Sequence, residues 1–530
     1  MNFRRGRSLI IAITCFIVAV CAPCAGKVPD SKVDKPEFRA IWVDGFHAGI
    51  RTPEEAAQLV LDAKNGNFNV LIVQVRRRGD AYYINSVEPP VEDPPYDGKF
   101  DALGSIIELA HQQGIEVHAW MNAMPVWRNA APPKNERHAF NLHGPGATER
   151  NMWLTQSPDG KVVFPVGYFL DPGNPDAADY LARLYTNVVR NYPRLDGIHF
   201  DYVRYPETDE KTSSGRGSPV GYNPASIQRF QYATKRTDMP QPDDEQFIQW
   251  RRQQVTQLVR RVYLEAKEIN PRIRVSAAVI PWGPPPKNYK DFANVAPMQR
   301  VFQDWSGWLK EGILDTAIPM NYAREQDPVT RGYYDGWIQY EKKNRFGRSV
   351  VVGVGGYLNA QEDVVQQIER TRKAAGKNTV DGVSIFSYFS PIKREPVTNA
   401  DATSVPPVVA QQVSLAVFSK GIGSAPAVFS TAVAVPRPQW LESPETGWLA
   451  GTVRKADGTP VDGAEIELRR AGGFPLFRRT MRVLTDGNGF YGFSKLKPGR
   501  YLVRLARKNS VKVESTIVAA EVARTDVVDR

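Results

Sequence analysis

Residues 197–202 read Gly-Ile-His-Phe-Asp-Tyr, a short apolar run that ends in a carboxylate and a tyrosine. Amphipathic stretches with the period of a helix lie on both sides of it, at residues 176–191 and 244–269. A strand that is buried on both faces reads as a nearly continuous apolar run. Helix, buried strand and helix in succession are therefore typical of a parallel sheet covered by helices.

Runs of the same type occur seven more times between residues 38 and 388. The other predicted strands are residues 38–44, 69–76, 116–122, 274–280, 316–322, 349–355 and 382–388. Further helical stretches are residues 53–63, 102–113, 298–311, 331–343 and 360–375. Eight strands that alternate with helices predict an α/β fold, a closed (β/α)₈ barrel over residues 35–391. The alternative, an open doubly wound sheet, would need a glycine-rich phosphate turn after the first strand, and Asp44-Gly45-Phe46-His47 is not one.

The first 26 residues have the features of a secretion signal. A basic region with three arginines precedes an apolar run over residues 9–20, and Cys24-Ala25-Gly26 is a small-residue cleavage site. We therefore predict an extracytoplasmic protein, periplasmic or secreted. An uncut membrane anchor and a lipoprotein are the alternatives, and Val20 disfavours the latter because the residue before a lipidated cysteine is small. All three cysteines lie in this segment, so a chain cut after Gly26 has no disulfide and no thiol site.

Two further segments follow the predicted barrel. Residues 392–445 are rich in Pro, Ala, Val and Ser, which predicts a linker or a loosely packed edge segment. Residues 446–530 contain short alternating runs joined by turn dipeptides, which predict a small all-β sandwich. With Thr-Asp-Gly-Asn-Gly-Phe at 485–490 and Leu-Lys-Pro-Gly-Arg-Tyr at 496–501, this segment resembles the carboxypeptidase-regulatory-like fold. That resemblance implies a spacer or an adhesion module without catalysis.

The net charge of +11 is unevenly distributed along the chain. The signal contributes +3 and residues 446–530 contribute +7, whereas residues 27–445 contribute only +1. A basic domain outside the cytoplasm predicts contact with an anionic wall polymer or a membrane surface. Export disfavours nucleic acid as a partner. We predict no cofactor, because no strand end carries a glycine-rich phosphate cradle.

In barrels of this type, the active residues project from the carboxyl ends of the strands. Alternate residues of a strand share a side, so Trp42 lies with Asp44 and His199 lies with Asp201. Polar side chains in one such register are costly in a packed core unless they face a wet site. Aromatic, amide and guanidinium groups suit stacking on sugar rings and hydrogen bonding to hydroxyls. The predicted substrate-binding residues are Arg76, His118, Trp120, Asn122, His199, Tyr202, Arg204, Trp282, Asn321, Tyr322, Tyr357 and Tyr388.

Several of these residues also have a structural interpretation. Arg76 could instead pair with an aspartate at a strand end, and His118 or His199 taken singly is more typical of a hydrogen-bonded barrel residue than of a base. Asp201 differs from them, because a carboxylate that ends an apolar strand just before a long loop has little structural purpose. We therefore predict a function for Asp201.

Seven short motifs then occur in a fixed order along the predicted barrel. They are Arg-Ala-Ile-Trp-Val at 39–43, Gln-Val-Arg at 74–76, His-Ala-Trp-Met-Asn at 118–122, Leu-Asp-Pro-Gly at 170–173, Asp-Gly-Ile-His-Phe-Asp-Tyr at 196–202, Trp-Arg-Arg at 250–252 and Trp-Leu-Lys-Glu-Gly at 308–312. Together they resemble the glycosyl-hydrolase-like family ten, a group of secreted or lipid-anchored bacterial proteins. The resemblance implies a TIM-like barrel that hydrolyses glycosidic bonds, and some members act on peptidoglycan glycan strands. Two positions depart from the family pattern: many members have Asp-Asp-Tyr where Asp201-Tyr202 keeps one aspartate, and many have Pro-Gln-x-Tyr-Trp where residues 319–323 read Pro-Met-Asn-Tyr-Ala.

Glycoside hydrolysis normally uses two carboxyl groups, an acid and a nucleophile or base. We predict Asp201 as the nucleophile or base, and residues 197–201 also resemble the strand-4 nucleophile motif of α-amylase-type barrels. The candidate acids are Asp44, Glu325 and Glu207, of which the first two directly follow predicted strands. A non-hydrolytic glycan-binding protein on an enzyme scaffold is the main alternative. A metal-dependent deacetylase is weaker, because the six histidines show no His-x-His or His-Glu-x-x-His spacing and we predict no metal site.

Overall fold

The computed structural model describes residues 35–210, 212, 214–373, 379–393, 415–421, 426–472, 480–506 and 512–529. The predicted signal, residues 1–26, lies outside the described residues. From Pro36 onward, the described residues belong to one compact unit.

A closed barrel of eight parallel strands forms the first part of this unit, with the strands adjacent in chain order. The strands are β1 (Phe38–Val43), β2 (Val70–Arg76), β3 (Glu116–Asn122), β4 (Gly197–Asp201), β5 (Arg274–Val279), β6 (Thr316–Pro319), β7 (Ser349–Gly355) and β8 (Gly382–Phe386). The main helices are α1 (Pro53–Asn65), α2 (Ala102–Gln112), α3 (Pro175–Asn191), α4 (Pro224–Thr234), α5 (Glu245–Ile269), α6 (Trp305–Glu311), α7 (Pro328–Lys343) and α8 (Gln361–Arg372). The α/β class and the predicted barrel are thus confirmed. None of the helices in the described ranges combines the length and the apolarity that crossing a membrane would need.

Alternation along each strand divides the core into an inner and an outer layer. On β1, Phe38, Ala40 and Trp42 enter the cluster that fills the barrel, whereas Ile41 and Val43 pack into the large cluster shared with the helices. Every residue of β1 is buried. A packed interior of this type leaves polar side chains room only at the ends of the strands, which places the open site at the mouth.

The helices follow local signals, with two departures from the predictions. The helix α4 was not predicted, although Asn223 caps it and Pro224 occupies its first position, as Thr52 and Pro53 do at α1. The predicted helix 298–311 is in fact two helices, Ala296–Arg300 and α6. The break lies at Asp304, whose side chain accepts a hydrogen bond from Gly307 N and begins α6.

An insertion between β3 and α3 covers one side of the barrel mouth. It contains a small antiparallel sheet and a short helix, and the sequence interpretation did not include it. Its elements are the strands Pro125–Trp127, Val163–Phe164 and Gly167–Phe169 and the helix Ala139–His143. Through this insertion, residues that lie far from any barrel strand reach the cavity described below.

The C-terminal part forms two packed sheets, and the predicted sandwich is confirmed. Its strands are β9 (Gly447–Lys455), β10 (Glu465–Arg470), β11 (Thr480–Leu484), β12 (Phe490–Leu496), β13 (Gly499–Leu505), β14 (Lys512–Ile517), β15 (Val522–Arg524) and β16 (Val527–Asp529). Pairing is antiparallel throughout one sheet, whereas β9 pairs in parallel with β15 and β16 in the other. The sandwich packs on α5: Trp448 and Phe490 belong to the barrel's core cluster, and a Cβ added at Gly492 would lie 2.0 Å from Leu264 Cδ1.

The described part of residues 392–445 packs on the amino-terminal end of the barrel. Asn69 Nδ2 donates to Val433 O at 3.0 Å, and Arg274 Nη2 donates to Pro436 O at 2.9 Å. Between them, Val435 enters the cluster that fills the barrel interior. These described residues therefore pack against the end of the barrel opposite the mouth.

Candidate active site

A cavity of about 720 Å³ opens at the carboxyl ends of the barrel strands. Of the predicted site residues, those in its lining are Asp44, Trp120, Asn122, Asp201, Tyr202, Arg204, Tyr322 and Tyr357. They come from β1, β3, β4, β6 and β7 or from the turns that directly follow these strands. The structure therefore brings together eight of the fifteen predicted residues, of which the period of two had selected Asp44, Trp120, Asn122 and Asp201.

Asp201 is the last residue of β4 and is only 8% exposed. Its Oδ1 accepts a hydrogen bond of 2.6 Å from Tyr202 N, and Tyr202 has a left-handed backbone (φ 49°), which is uncommon for a residue other than glycine. Burial raises the pKa of Asp201 to about 6, although the charge of Arg204 and the hydrogen bonds from Tyr202 and Trp120 oppose the rise. Asp201 is thus a carboxyl group that can hold a proton near neutral pH.

Asp44 follows β1 and is 7% exposed. Its Oδ1 accepts hydrogen bonds from Phe46 N at 2.9 Å, from His47 N at 3.2 Å and from the His47 ring at Nδ1, 2.7 Å away. Because a carboxylate only accepts, Nδ1 of His47 carries the proton in this contact. The His47 ring also stacks on Phe389 with a centroid separation of 3.6 Å. Asp44 is therefore fixed at the mouth by its own turn and by a stacked histidine.

Amide side chains connect the Asp44 turn with β3. Asn122 Oδ1 accepts from Trp120 Nε1 at 3.0 Å and from Gln74 Nε2 at 3.2 Å. Gln74 Oε1 in turn accepts from Gly45 N at 2.9 Å. Since all three side chains line the cavity, this network holds the indole of Trp120 beside Asp201 in one orientation.

Aromatic rings form another wall of the cavity. Tyr322, Tyr357 and Phe386 lie with centroid separations of 5.6 to 6.1 Å between each pair. Tyr357 is 41% exposed at the rim. Ring faces of this type bind the apolar faces of sugar rings, and their hydroxyls offer hydrogen bonds to the sugar.

Arg76 does not reach the cavity, which corrects its predicted role in substrate binding. The pairing of β2 with β3 shifts register between Gln74 and Arg76, so Arg76 leaves the inward row. It is fully buried and forms two hydrogen bonds, of 2.7 and 2.8 Å, with the equally buried Glu88. The structural alternative predicted for Arg76 was an ion pair with an aspartate at a strand end, and the observed partner is Glu88.

Both histidines of the prediction lie below the mouth. His118 pairs in register with Gly197, at the amino-terminal end of β4, and contacts Phe38 and Glu116. His199 Nε2 accepts from Trp42 Nε1 at 3.1 Å, and its Nδ1 lies 2.9 Å from Ser276 Oγ. Burial holds the pKa of His199 well below its usual range, so the ring is neutral. Neither histidine lines the cavity. His199 is the hydrogen-bonded barrel residue of the structural interpretation, whereas both ring nitrogens of His118 are without a hydrogen-bond partner among the described residues.

The remaining predicted residues are held by structural partners outside the cavity lining. Glu325 forms two hydrogen bonds with Arg370, of 2.7 and 2.8 Å, and is therefore corrected as a candidate acid. Tyr388 donates to Asp62 Oδ2 at 2.7 Å, and Asn321 donates to Glu341 at 3.4 Å.

Trp282 and Glu207 both contact Arg204, which lines the cavity. The guanidinium of Arg204 lies 5.4 Å from the centroid of the Trp282 ring, and its Nη2 donates to Glu207 at 2.9 Å. Neither residue lines the cavity, so Glu207 is also corrected as a candidate acid. Both help to fix the position of Arg204.

Sequence reasoning missed several residues of the lining. His47, Phe389 and Lys393 lie a few residues beyond strand ends, where only turn geometry directs a side chain toward the mouth. Gln74 and Phe386 stand at strand ends and could have been found by the same period of two. The cationic residues Arg78 and Arg128 belong to long connections that carry no periodic signal.

Comparison with known proteins gives the family of this chain. The profile of the glycosyl hydrolase-like 10 family matches residues 37–370, and that of the carboxypeptidase regulatory-like domain matches residues 449–529. Glycosyl hydrolase YngK of Bacillus subtilis is 25% identical over 340 residues, which are 58% of this chain and 59% of YngK. Glycosyl hydrolase DigH of Escherichia coli K12 is 25% identical over 313 residues, 55% of this chain and 63% of DigH.

The chain spans about three fifths of the length of these curated relatives. Among solved structures, the glycoside hydrolase domain of PgaB from Bordetella bronchiseptica is similar with a TM-score of 0.47 and 12% identity, covering 71% of this chain and 98% of that domain. Because the family profile covers well over half of the 530 residues, this protein belongs to the glycosyl hydrolase-like 10 family.

Proposed function

We propose that this protein is a glycoside hydrolase that cleaves O-glycosidic bonds in a cell-wall or extracellular polysaccharide, with peptidoglycan glycan strands as one candidate. One observation carries the proposal: Asp44 and Asp201 line the same cavity at the barrel mouth, beside a wall of aromatic rings. Two carboxyl groups across a sugar-sized site are what glycoside hydrolysis requires. Membership of the glycosyl hydrolase-like 10 family supports the same reaction class.

The different environments of the two carboxyl groups indicate which one is the general acid and which one is the nucleophile or base. Asp201 is buried and its pKa is raised to about 6. A fraction of the molecules therefore carries the proton near neutral pH, and a general acid gives this proton to the leaving oxygen. Asp44 presents a carboxylate that already accepts hydrogen bonds from two backbone N–H groups and from His47. We therefore assign the general acid to Asp201 and the nucleophile or base to Asp44, which reverses the roles predicted from sequence.

Replacement of each aspartate tests this assignment. Asp201→Asn and Asp44→Asn should each lower the release of soluble products from purified peptidoglycan glycan strands or exopolysaccharides by about 10² to 10⁴-fold, the usual contribution of a positioned acid or base. Asp457→Asn is the matched control, since Asp457 lies exposed in a turn of the sandwich. Wild-type turnover in Asp201→Asn would remove Asp201 from the mechanism.

A non-hydrolytic glycan-binding protein is the second candidate. It is favoured by the single aspartate of Asp201-Tyr202, where many family members have two. Saturable binding of a glycan to the wild-type cavity, with no product from any polysaccharide of the screen, would support it. The same screen therefore separates the two functions.

We also propose that the protein acts outside the cytoplasm and that its basic C-terminal domain contacts an anionic wall polymer or a membrane surface. The excess of +7 over residues 446–530 supports this partner, and Arg500 is an example of an exposed cation. Cosedimentation with phosphatidylglycerol vesicles or with purified anionic wall polymer, at low and high salt, tests it. Binding that is absent at low salt would contradict the proposal.

A further inference from the structure

Three arginines line one side of the cavity. Arg78 follows β2, Arg128 follows the short strand after β3, and Arg204 follows β4. The strands β2 and β4 lie on either side of β3, and the short strand Pro125–Trp127 follows β3 along the chain. The charge of Arg128 acts on Arg78 and, together with that of Arg204, on Tyr202, so the three guanidinium groups lie on one side of the cavity, which we call the arginine wall.

Arg204 is built into this wall and keeps unused hydrogen-bonding capacity. It is 4% exposed, and its Nη2 donates to Glu207 at 2.9 Å. Its Nη1 is buried and has no hydrogen-bond partner among the described residues. A buried guanidinium N–H without an acceptor is costly, so this atom is suited to an acceptor that arrives with a ligand.

Arg78 and Arg128 add positive charge to the cavity. Neither forms an ion pair within the described parts of the chain, and the Nε of Arg78 is buried without a hydrogen-bond partner there. Burial, followed by the repulsion of Arg77, lowers the pKa of Arg78; the charges of Asp80 and Asp93 oppose this change, and the repulsion of Arg128 adds to it. An anion bound between Arg78 and Arg128 would lower the repulsion between these two cations.

The excess of positive charge is local to the cavity. Its lining contains Lys393 and the arginine wall, four cations against the two carboxylates Asp44 and Asp201. Residues 27–445 as a whole are almost balanced, with a net charge of +1. A cleft with one dominant sign of charge attracts a ligand of the opposite sign. Planar guanidinium groups suit carboxylates in particular, because two N–H groups can bind the two oxygens.

We propose that the arginine wall is a carboxylate subsite and that the glycan bound in this cavity is acidic, with carboxylates on its sugars. This inference rests on the proposed function, since it names the class of its substrate. The carboxylate can belong to a uronic acid ring or to an ether-linked acid substituent. Both present the same group to the arginines, and the experiment separates them.

Calorimetric titration of the full-length chain tests the subsite without any turnover. All proteins carry Asp201→Asn, and the probes are tetragalacturonate, a peptide-free peptidoglycan tetrasaccharide with lactyl carboxylates, and neutral chitotetraose. At least one acidic probe should bind ten or more times as tightly as chitotetraose. This advantage should shrink about tenfold in Arg128→Gln, disappear in Arg78→Gln/Arg128→Gln, and weaken at 0.5 M salt. The tighter of the two acidic probes identifies the source of the carboxylate.

Arg128 is exposed at the rim, so its replacement leaves the fold intact, and the matched control is Arg272→Gln, since Arg272 is exposed beside the amino-terminal end of β5 and lies outside the cavity lining. Equal binding of all three probes, or no binding of either acidic probe, would overturn the subsite. So would an acidic advantage that survives in the double variant. The proposed function fails separately: acidic preference without product release from any glycan rejects hydrolysis alone, whereas hydrolysis without acidic preference rejects the subsite alone.

Discussion

The replacement Asp201→Asn should stabilise the folded protein while it lowers hydrolysis by about 10² to 10⁴-fold. Burial raises the pKa of Asp201 from 3.8 to about 6. At 1.36 kcal/mol per pKa unit, ionising Asp201 in the folded protein costs about 3 kcal/mol more than in the unfolded chain. Asparagine has nearly the same shape, carries no charge, and can still accept the hydrogen bond from Tyr202 N. The variant therefore avoids the cost of the buried charge.

The sign of the pH dependence follows from linkage. Because the folded state holds this proton more tightly than the unfolded state, the free energy of unfolding of the wild type falls as pH rises from about 4 to about 6. The advantage of Asp201→Asn should thus be about 3 kcal/mol at pH 7.5 and only about 1 kcal/mol at pH 4.5. Below pH 4 it should vanish.

Urea unfolding followed by tryptophan fluorescence measures this difference at the two pH values. Asp457→Asn serves as control, because Asp457 is exposed and should show no such pH-dependent gain. The reasoning is wrong if Asp201→Asn is no more stable than the wild type at pH 7.5. It is equally wrong if the gain is the same at pH 4.5, because the buried charge would then not be its cause.

Three further outcomes are expected. The value of kcat/KM on a cleaved glycan should fall about tenfold per pH unit above pH 6, as Asp201 loses its proton; a flat profile between pH 6 and 8 would exclude Asp201 as the acid. Glu88→Ala should lower the free energy of unfolding by about 3–5 kcal/mol, because it leaves Arg76 buried without its partner; a loss below about 1 kcal/mol would contradict that ion pair. Gly492→Ala should destabilise the full chain by about 1–3 kcal/mol, since the new Cβ would lie 2.0 Å from Leu264 Cδ1. Adding Leu264→Ala to the same chain should recover part of this loss of stability. Losses that simply add in the double variant would count against the contact.

The fold was predictable because its signals are local. Each barrel strand is a short apolar run between helices, and all eight predicted strands occur in the structure. The predicted carboxyl ends run one residue too far at β1, β4 and β5, two at β8 and three at β6, since the chain leaves the sheet at the mouth before the apolar run ends. The insertion after β3 was not predicted, because its strands have only two or three residues and carry no periodic pattern.

The candidate site was predictable only in part. The period of two places Trp120, Asn122 and Asp201 on the inward side, and they do line the cavity. The same period also selects His118 and His199, which lie further from the mouth inside the barrel. The period predicts that a side chain points into the barrel, but it does not predict how far from the mouth that side chain lies. Two of the three residues of the arginine wall were missed, since Arg78 lies in the connection after β2 and Arg128 in the insertion after β3, and neither segment carries a periodic pattern.

The sequence by itself determined the eight barrel strands, most of the helices and several of the strand ends that line the cavity, since these depend on neighbours within a few residues. The tertiary structure alone decided which partner each polar side chain meets. Tyr388 is hydrogen-bonded to Asp62, 326 residues away in the chain, and Glu325 is paired with Arg370 of α8. Such pairs exist because a buried polar group must find a partner, and in a closed barrel that partner is supplied by whichever element the closure brings beside it.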